Sequence, residues 1–342
     1  MSLDEASRLT ARGRGPELRV AVVGAGWMGE AHLRAYTAQP GVRVVALVTR
    51  SSERGSELAE RYPIETVFDD AVRMLDEVRP DGISVTTRED EHAGPACAAL
   101  ERGIGVLVEK PMSSRVADAE RLVDVAARSG SLLVPAHILR FAPPYQALKR
   151  EVESGRLGSI VAIAARRDRD RAIARHYGHV HPAMLTAVHD IDQVVWLTGA
   201  GVRRVRALEA RRTDLPQPDL VWGHLELEGG ILASISTATL LPEGGSVGSS
   251  DRLEVYGTAG HAAVDTTARL LAVETTHPAR PDLLLEPPDG GGAFGAEIGH
   301  FCACLRAGRA SDVISPAEAL AGIRVADAMV RSAAAGGAII DL

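Results

Sequence analysis

The glycine-rich segment Gly24-Ala25-Gly26-Trp27-Met28-Gly29 constrains the fold more than any other feature of the sequence. It follows the apolar run Leu18–Val23 and precedes a helical pattern over Glu30–Gln39, which Pro40-Gly41 stops. In a dinucleotide-binding unit the first glycine permits a tight turn, the second lets the backbone approach a pyrophosphate, and the third lets helix and strand pack closely. Helix amide groups then face the anion. We therefore interpret the segment as a dinucleotide site; the alternative is a glycine-rich structural turn.

Strand-length apolar runs alternate with helical patterns as far as Ala136. The further predicted strands are Val42–Val48, Thr66–Phe68, Gly82–Thr86, Ile104–Val108 and Ser131–Ala136. Repeated β-α units of this length indicate a doubly wound parallel sheet in an α/β protein. We therefore predict a Rossmann domain over residues 18–137. Residues 1–17 are polar and charged, and we expect them to form a flexible leader.

The periodicity changes after His137. Consecutive strands without intervening helices indicate an α+β domain over residues 138–342, with a mostly antiparallel sheet. A polar loop rich in Arg and His is expected to run to His181, and the C-terminal helix could pack back on the Rossmann domain. The predicted elements are helices Pro143–Glu153, Pro182–Leu197, Phe294–Arg306 and Pro316–Ala333, and strands Ser159–Arg167, Val202–Glu209, Leu220–Glu228, Ile231–Thr239, Arg252–Tyr256 and His261–Val264.

The end of the second strand bears on the choice of dinucleotide. NAD sites often carry an acidic residue there for the ribose 2′-hydroxyl, whereas this strand ends in Thr49-Arg50-Ser51. Arg and hydroxyl groups would bind a 2′-phosphate, so we favour NADP(H), with NAD(H) as the alternative. Arg50 could instead be a solvated loop residue that stacks on the adenine. The other expected cofactor-lining residues, beyond the glycine segment, are Thr86, Thr87, His92, Glu109 and Lys110. For His92 the alternative is a residue that starts or caps a helix.

Two further segments contain candidate catalytic residues. Glu109-Lys110-Pro111 ends a buried strand and places an ammonium at the carboxyl edge of the sheet, where open α/β folds bind ligands. On the helix from Pro182, one face carries Leu185, His189, Asp192, Gln193 and Trp196 at helical spacing. That face could hold a catalytic His189, or His189 could be a buried core histidine.

Composition narrows the class of protein. The formal net charge of −7 argues against a general nucleic-acid binder. Three cysteines give no disulfide framework, which fits a reducing cytosol, so we expect a cytoplasmic protein. No apolar run approaches the roughly 18 residues of a membrane span. The cluster His176, His179 and His181 lacks an acid or Cys at matching spacing, so we expect no metal site.

Together these segments resemble the Gfo/Idh/MocA family of NAD(P)-dependent oxidoreductases. The resemblance rests on Val20–Gly29, Glu91-His92, Gly105–Pro111, His137–Phe141, and His189–Asp192 with Trp196–Gly199. It implies a small-molecule substrate such as a sugar, polyol, sugar nucleotide or related compound, bound by the second domain. It also implies that the sheet of this domain forms a homodimer or homotetramer.

The resemblance also implies roles for individual residues. Lys110 is expected to be catalytic or to position the substrate, and His189 to exchange a proton; these roles are interchangeable. Members that resemble inositol dehydrogenases carry Asp one turn before this His, where the chain has Leu185, so Asp192 becomes the candidate for orienting the ring. The expected substrate-binding residues also include Arg140, Tyr145, Arg166 and Leu185. Such arginines would suit a carboxylate or phosphate, or they could form a solvated basic loop.

The resulting hypothesis is hydride transfer between nicotinamide and a substrate C–H, coupled to proton transfer at the adjacent oxygen. Lys110 would stabilise developing negative charge, and His189 would act as acid or base near neutral pH. Two alternatives remain. One is a dinucleotide-binding sensor without catalysis, and the other is a lyase or glycosidase that uses transient oxidation by bound cofactor.

Overall fold

A computed structural model describes residues 17–243, 249–266, 272–274 and 292–342. The predicted leader lies outside these residues except for Glu17. The chain forms two compact units. The described parts of unit 1 are residues 17–112, 121–136 and 292–316, and those of unit 2 are 113–120, 137–243, 249–266, 272–274 and 317–342. The main division falls between Ala136 and His137, beside the predicted boundary, but residues 113–120 and 292–316 each join the other unit.

The predicted strands are found in order, with shifts of one to three residues at most ends, and two short strands that were not predicted, Ala272–Glu274 and Ile340–Asp341, are added. The strands are β1 Leu18–Val23, β2 Val42–Val48, β3 Thr66–Phe68, β4 Gly82–Val85, β5 Gly105–Glu109, β6 Leu133–Ala136, β7 Ile160–Asp170, β8 Val202–Ala210, β9 Leu220–Leu227, β10 Leu232–Leu241, β11 Ser249–Gly257, β12 His261–Asp265, β13 Ala272–Glu274 and β14 Ile340–Asp341.

The helices also follow the predicted order, with one addition. They are α1 Trp27–Thr37, α2 Ser52–Arg61, α3 Ala71–Val78, α4 Ala93–Leu100, α5 Val116–Ser129, α6 Pro143–Glu153, α7 Arg171–His176, α8 Val188–Thr198, α9 Ala293–Ala307 and α10 Pro316–Ala334. None of the described helices has the length and apolar character needed to span a bilayer.

The sheet of unit 1 is parallel throughout, with the strand order β3-β2-β1-β4-β5-β6. Its strands read as continuous apolar runs because both faces are covered, and Val20, Ala21 and Val22 are completely buried. The direction in which successive strands are added reverses between β1 and β4. Ligands of open α/β sheets bind at such a switch point.

Helix α9 belongs to unit 1 and packs against α1. Gln39 donates to the carbonyl of Gly295 at 3.0 Å, and Arg306 donates to the carbonyls of Pro40 and Gly41 at 3.1 Å. Helix α9 therefore belongs to the Rossmann unit, whereas α10, the C-terminal helix for which the sequence analysis considered such packing, lies in unit 2 from Ala317 onwards.

Unit 2 contains an eight-stranded sheet with the order β13-β12-β11-β7-β10-β9-β8-β14. Only the β7–β10 pair is parallel among the described pairs, so the expectation of a mostly antiparallel sheet is confirmed. The predicted polar loop before His181 was too long. Strand β7 continues to Asp170 and α7 follows directly, because alternate residues such as Ala165 and Arg167 are buried against the unit.

The helix predicted from Pro182 begins with a π turn over Ala183–Ala187 before α8. A π turn pairs residues five apart, whereas an α-helix pairs residues four apart. The regular spacing assumed between Leu185 and His189 therefore does not hold in this turn. His189 and Asp192 both lie in α8, where the assumed spacing applies.

Candidate dinucleotide and active site

The three glycines after β1 have different surroundings. Gly24 has φ +112°, and a Cβ there would lie 2.7 Å from the backbone of Thr86. A Cβ on Gly29 would lie 2.0 Å from the carbonyl oxygen of Gly24. A Cβ on Gly26 would meet no atom within 4 Å. The first and third glycines therefore close the turn, and the second leaves open space beside the start of α1, as a bound pyrophosphate would need.

Thr86 supports this turn from the neighbouring strand. Its buried Oγ1 donates to the carbonyls of Val23 and Gly24 at 3.1 Å. The predicted cofactor-lining residue therefore acts on the shape of the turn through its side chain. Thr87 is half-buried, and its carbonyl faces His92.

Two basic side chains lie near the turn, Arg50 in the segment after β2 and Arg54 in α2. The side chain of Arg50 is 80% exposed and lies 3.3 Å from the carboxylate of Glu91. Arg54, which the sequence analysis did not single out, donates from Nε to the carbonyl of Ala25 at 3.2 Å. Ser51 accepts from the backbone N–H of Arg54 and begins α2. Both arginines are paired with carboxylates, so the local charge is partly neutralised.

Glu109 folds back onto the backbone that carries Lys110. Its Oε2 accepts from the backbone N–H of Lys110 at 3.0 Å, and its Oε1 lies 3.1 Å from Nε2 of His32. Burial alone would raise the pKa of Glu109, but the hydrogen bond from His32 and the neighbouring His32, Lys110 and His92 outweigh it and lower the pKa. Glu109 is therefore a buried carboxylate beneath Lys110, and nothing in these contacts directs it at a cofactor.

His92 joins the two loops that follow β4 and β5. Its Nδ1 lies 3.0 Å from the carbonyl of Pro111 and its Nε2 lies 3.0 Å from the carbonyl of Thr87. Burial lowers the pKa of His92, although Glu109 and the two carbonyls act in the opposite direction. The residue sits immediately before α4 without a side-chain cap bond. The structure thus favours a loop-joining role over direct cofactor contact.

Among the described residues of unit 1, Trp27 has the most exposed large apolar side chain, at 72%. It begins α1 beside the open space at Gly26 and makes an edge contact with Phe294 at a centroid distance of 6.2 Å. An exposed aromatic ring beside an anion site can cover a bound nucleotide. Met28 lies in the same first turn of α1.

His32, Glu109 and Glu297 form a buried cluster whose nitrogen and carboxylate oxygens lie within 4.8 Å of one another. These atom types also bind Zn²⁺. Nε2 of His32 and both Glu109 oxygens already take part in hydrogen bonds. We therefore interpret the group as a hydrogen-bonded cluster, and the absence of a metal stays a prediction.

In unit 2, the helix that carries His189 is held by two buried ion pairs. Arg140 donates to Asp192 at 2.8 Å and to Glu318 at 3.0 Å. Arg167 donates to Asp190 at 2.8 Å. His189 itself is half-buried and immediately precedes Asp190 in the chain. The two ion pairs therefore hold the start of α8, just after His189.

These contacts change the interpretation of four predicted residues. The carboxylate of Asp192 is directed at Arg140, so its role in orienting His189 stays a prediction. Arg140 is 1% exposed, and its guanidinium donates to the carboxylates of Asp192 and Glu318. We therefore interpret Arg140 as a structural support and not as a binding group for a substrate anion. Tyr145 is equally buried and faces Arg167. Arg166 remains largely exposed and pairs with Asp168.

Comparison with known proteins agrees with both units. The profile of the oxidoreductase family with an NAD-binding Rossmann fold matches residues 18–137, and the GFO/IDH/MocA C-terminal domain matches residues 145–263. The chain belongs to the Gfo/Idh/MocA family. Membership of this family, expected from the motifs, is therefore confirmed, and so is the fold class.

Relatives within the Gfo/Idh/MocA family include several dehydrogenases. An inositol 2-dehydrogenase of Saccharopolyspora erythraea is 30% identical over 64% of this chain and 66% of its own length. The scyllo-inositol 2-dehydrogenase (NAD(+)) of Bacillus subtilis is 23% identical over 92% of this chain and 94% of its own length. The first match thus spans just under two thirds of that relative.

Solved structures share the Gfo/Idh/MocA fold at lower identity. A scyllo-inositol dehydrogenase from Lactobacillus casei, solved with NAD(H) and scyllo-inositol, superposes with a TM-score of 0.82. It is 20% identical over 95% of this chain and 98% of its own. Similarity at this level establishes the fold of the two units.

Sequence reasoning missed the residues that support the site from below. His32, Ser84 and Tyr36 lie inside patterns that read as ordinary core positions of a helix and a strand. The sequence did offer one signal of this support, a polar His at a core position of α1, because a buried polar side chain needs a hydrogen-bond partner. The partner itself, Glu109, lies 77 residues away, and only the strand order brings the two together.

Proposed function

We propose that the protein is an NAD(P)-dependent oxidoreductase that acts on a CH–OH group of a polyol or sugar. The family profile describes an NAD-binding oxidoreductase domain, and the relatives named above are dehydrogenases of cyclic polyols. The proposal assigns the same reaction class to this chain.

One observation carries the proposal. Val23, Val85 and Val108 pair in register across β1, β4 and β5. Gly24, Thr86 and Glu109 therefore follow their neighbours at the same edge of the sheet, and Lys110 comes next. A turn shaped for a pyrophosphate and an ammonium thus share one edge of unit 1, at the switch point where open α/β folds bind ligands.

In the proposed hydride transfer, each functional group of the protein has a separate role. A bound nicotinamide would supply or accept the hydride. Lys110 would donate a hydrogen bond to the substrate oxygen and stabilise negative charge there. His189, at the start of the anchored helix α8, would exchange the hydroxyl proton with solvent near neutral pH. The glycine turn, Trp27 and Thr86 would hold and orient the dinucleotide.

For the dinucleotide itself we propose a preference for NADP(H), with NAD(H) as the alternative. In the segment that follows β2, the exposed Arg50 and the hydroxyls of Thr49 and Ser51 suit a 2′-phosphate, since Arg binds phosphate with paired N–H donors. Glu91 opposes this preference because it already pairs with Arg50. Fluorescence titration with NADPH and NADH measures the outcome directly.

We also propose that the sheet of unit 2 joins copies of the chain into a dimer or tetramer. One face of this sheet exposes an unusual set of large apolar side chains. They are Leu208, Trp222, Leu232, Leu240 and Tyr256. Exposed apolar patches of this kind mark association surfaces, and sedimentation velocity would give the stoichiometry.

The test of the proposed reaction is turnover of a panel of polyols, aldoses and sugar acids with NADP⁺ and NAD⁺. We expect absorbance of reduced nicotinamide to appear with at least one polyol or sugar. Tight dinucleotide binding without turnover of any member would favour the sensor. Bound cofactor that cycles without net reduction, together with cleavage of a glycoside, would favour the transient-oxidation enzyme.

A further inference from the structure

A continuous chain of buried hydrogen bonds leads from α1 to the backbone of Lys110. Tyr36 lies 2.8 Å from Oγ of Ser84, and that oxygen lies 3.0 Å from Nδ1 of His32. Nε2 of His32 lies 3.1 Å from Glu109, whose other oxygen accepts from the backbone N–H of Lys110 at 3.0 Å. Tyr36, His32 and Ser84 are completely buried.

The donors and acceptors that each group offers fix the direction of this series of hydrogen bonds. A carboxylate only accepts, so Nε2 of His32 donates to Glu109. With that tautomer Nδ1 is an acceptor, so Ser84 donates to His32 and Tyr36 donates to Ser84. Every side-chain donor then points toward Glu109, and each of these N–H and O–H groups donates once. The chain ends on a carboxylate that is satisfied from two sides.

The charges around Glu109 agree with an ionised carboxylate. The titratable groups that face it are His32 of α1, Glu297 of α9, His92 before α4, and its neighbour Lys110. Two buried carboxyl groups this close repel each other when both are ionised. Glu109 receives the two N–H donors, so the negative charge is better placed there than on Glu297.

We propose that His32 is a positioning residue which, through Glu109, fixes the placement and the positive charge of Lys110. The anion beneath Lys110 favours the ammonium over the free amine. Lys110 therefore serves as a hydrogen-bond donor and electrostatic group at the sheet edge, which leaves the exchange of the proton to His189. This assignment of roles rests on the proposed function, but the charge of Lys110 does not.

The sequence offers an unusually clean way to test that charge. Lysine occurs only at positions 110 and 149. In protein labelled with ¹³C-lysine, two side chains therefore report, and Lys149→Arg assigns the remaining signal to Lys110. The Cε chemical shift gives the titration midpoint of Lys110 in the folded protein, with or without substrate turnover.

Three variants distinguish the effect of the hydrogen bond between His32 and Glu109 from the effect of side-chain packing. His32→Leu removes the donor to Glu109, and Glu109→Gln removes the charge while keeping an acceptor for the Lys110 backbone. We expect both to lower the Lys110 midpoint by about one pH unit or more. His32→Gln keeps an N–H at the place of Nε2 and should leave the midpoint near that of the unmodified protein, even if it lowers the melting temperature.

Clear results would overturn the proposal. The ordinary pKa of lysine is about 10.4. A Lys110 titration midpoint below about pH 8 in the unmodified protein would show that Lys110 readily becomes the free amine. An unchanged midpoint in Glu109→Gln would show that the carboxylate does not act on Lys110, and this variant decides the matter if His32→Leu does not fold. Stoichiometric bound metal that chelators remove would also overturn it. Absence of turnover on every substrate would count against the proposed function alone.

Discussion

Nε2 of His32 lies 3.1 Å from Oε1 of Glu109, and both side chains are buried beneath the edge where β1, β4 and β5 end. This pair joins the helix that follows the glycine turn to the last residue of the strand before Lys110. The dinucleotide turn and the proposed catalytic group therefore share one buried support.

The glycines of the turn should respond differently to a single methyl group. Gly29→Ala should destabilise the protein by about 1–3 kcal/mol, because its Cβ meets the carbonyl of Gly24 and the backbone must shift. Gly26→Ala should leave the free energy of unfolding unchanged, because its Cβ enters open space. It should still weaken dinucleotide binding about 10-fold or more by occupying that space. Urea denaturation and fluorescence titration measure the two effects, and equal stability of both variants would contradict the account.

Arg50 should decide between the two dinucleotides. Arg50→Ala should weaken NADPH binding about 10-fold, as expected for loss of one charge-assisted contact, and leave NADH binding nearly unchanged. Glu91→Gln is the matched variant, because it releases Arg50 from its ion pair and should strengthen NADPH binding. Parallel losses for both nucleotides in Arg50→Ala would assign Arg50 to the adenine or to the loop instead.

His92 should make the protein sensitive to acid. Burial holds its pKa below the ordinary 6.5 in the folded state. Between 6.5 and that lower value, the unfolded chain binds a proton that the folded protein does not, so stability falls as the pH falls. His92→Gln should reduce this slope by at most about 1.4 kcal/mol per pH unit. Urea denaturation between pH 8 and 5 measures it, with the exposed His176→Gln as control; equal slopes would refute the assignment.

Arg140 should support stability and the placement of α8. Arg140→Met leaves the buried carboxylate of Asp192 without its partner, which should cost about 3–5 kcal/mol. Arg324→Met breaks an exposed pair with Glu120 and should have little effect. If Arg140 instead received a substrate anion, Arg140→Met would raise KM and leave the free energy of unfolding intact.

Local patterns of the sequence predicted the fold class and most of the helices and strands. The apolar runs predicted β1 and β2 with their observed bounds, because buried parallel strands read as continuous apolar segments. The start of α1 was placed three residues late, since glycines and Trp27 obscure the helical pattern in the first turn. The π turn over Ala183–Ala187 could not be predicted, because its residues fit the pattern of a regular helix equally well.

The support of the site could not be predicted from local patterns. Asp192 looked functional because it shares a helical face with His189, and Arg140 because its charge would suit a substrate anion, but they pair with one another across 52 residues of sequence. Glu109 likewise looked like a cofactor contact until strand order placed it against His32. Pairs of this kind depend on topology, whereas the glycine turn and Lys110 are fixed by their immediate neighbours in the chain.

Transfer of deuterium from substrate to cofactor tests the central claim most directly. A polyol or sugar that supports turnover would be labelled with deuterium at the reacting carbon, and the reduced nicotinamide would be analysed by NMR. The account predicts one deuterium per reduced cofactor, transferred to one face of the ring. Lys110→Ala should bind the dinucleotide normally and transfer deuterium at least about 100-fold more slowly, with Lys149→Arg as the matched control. Unlabelled reduced cofactor, or full activity in Lys110→Ala, would contradict it.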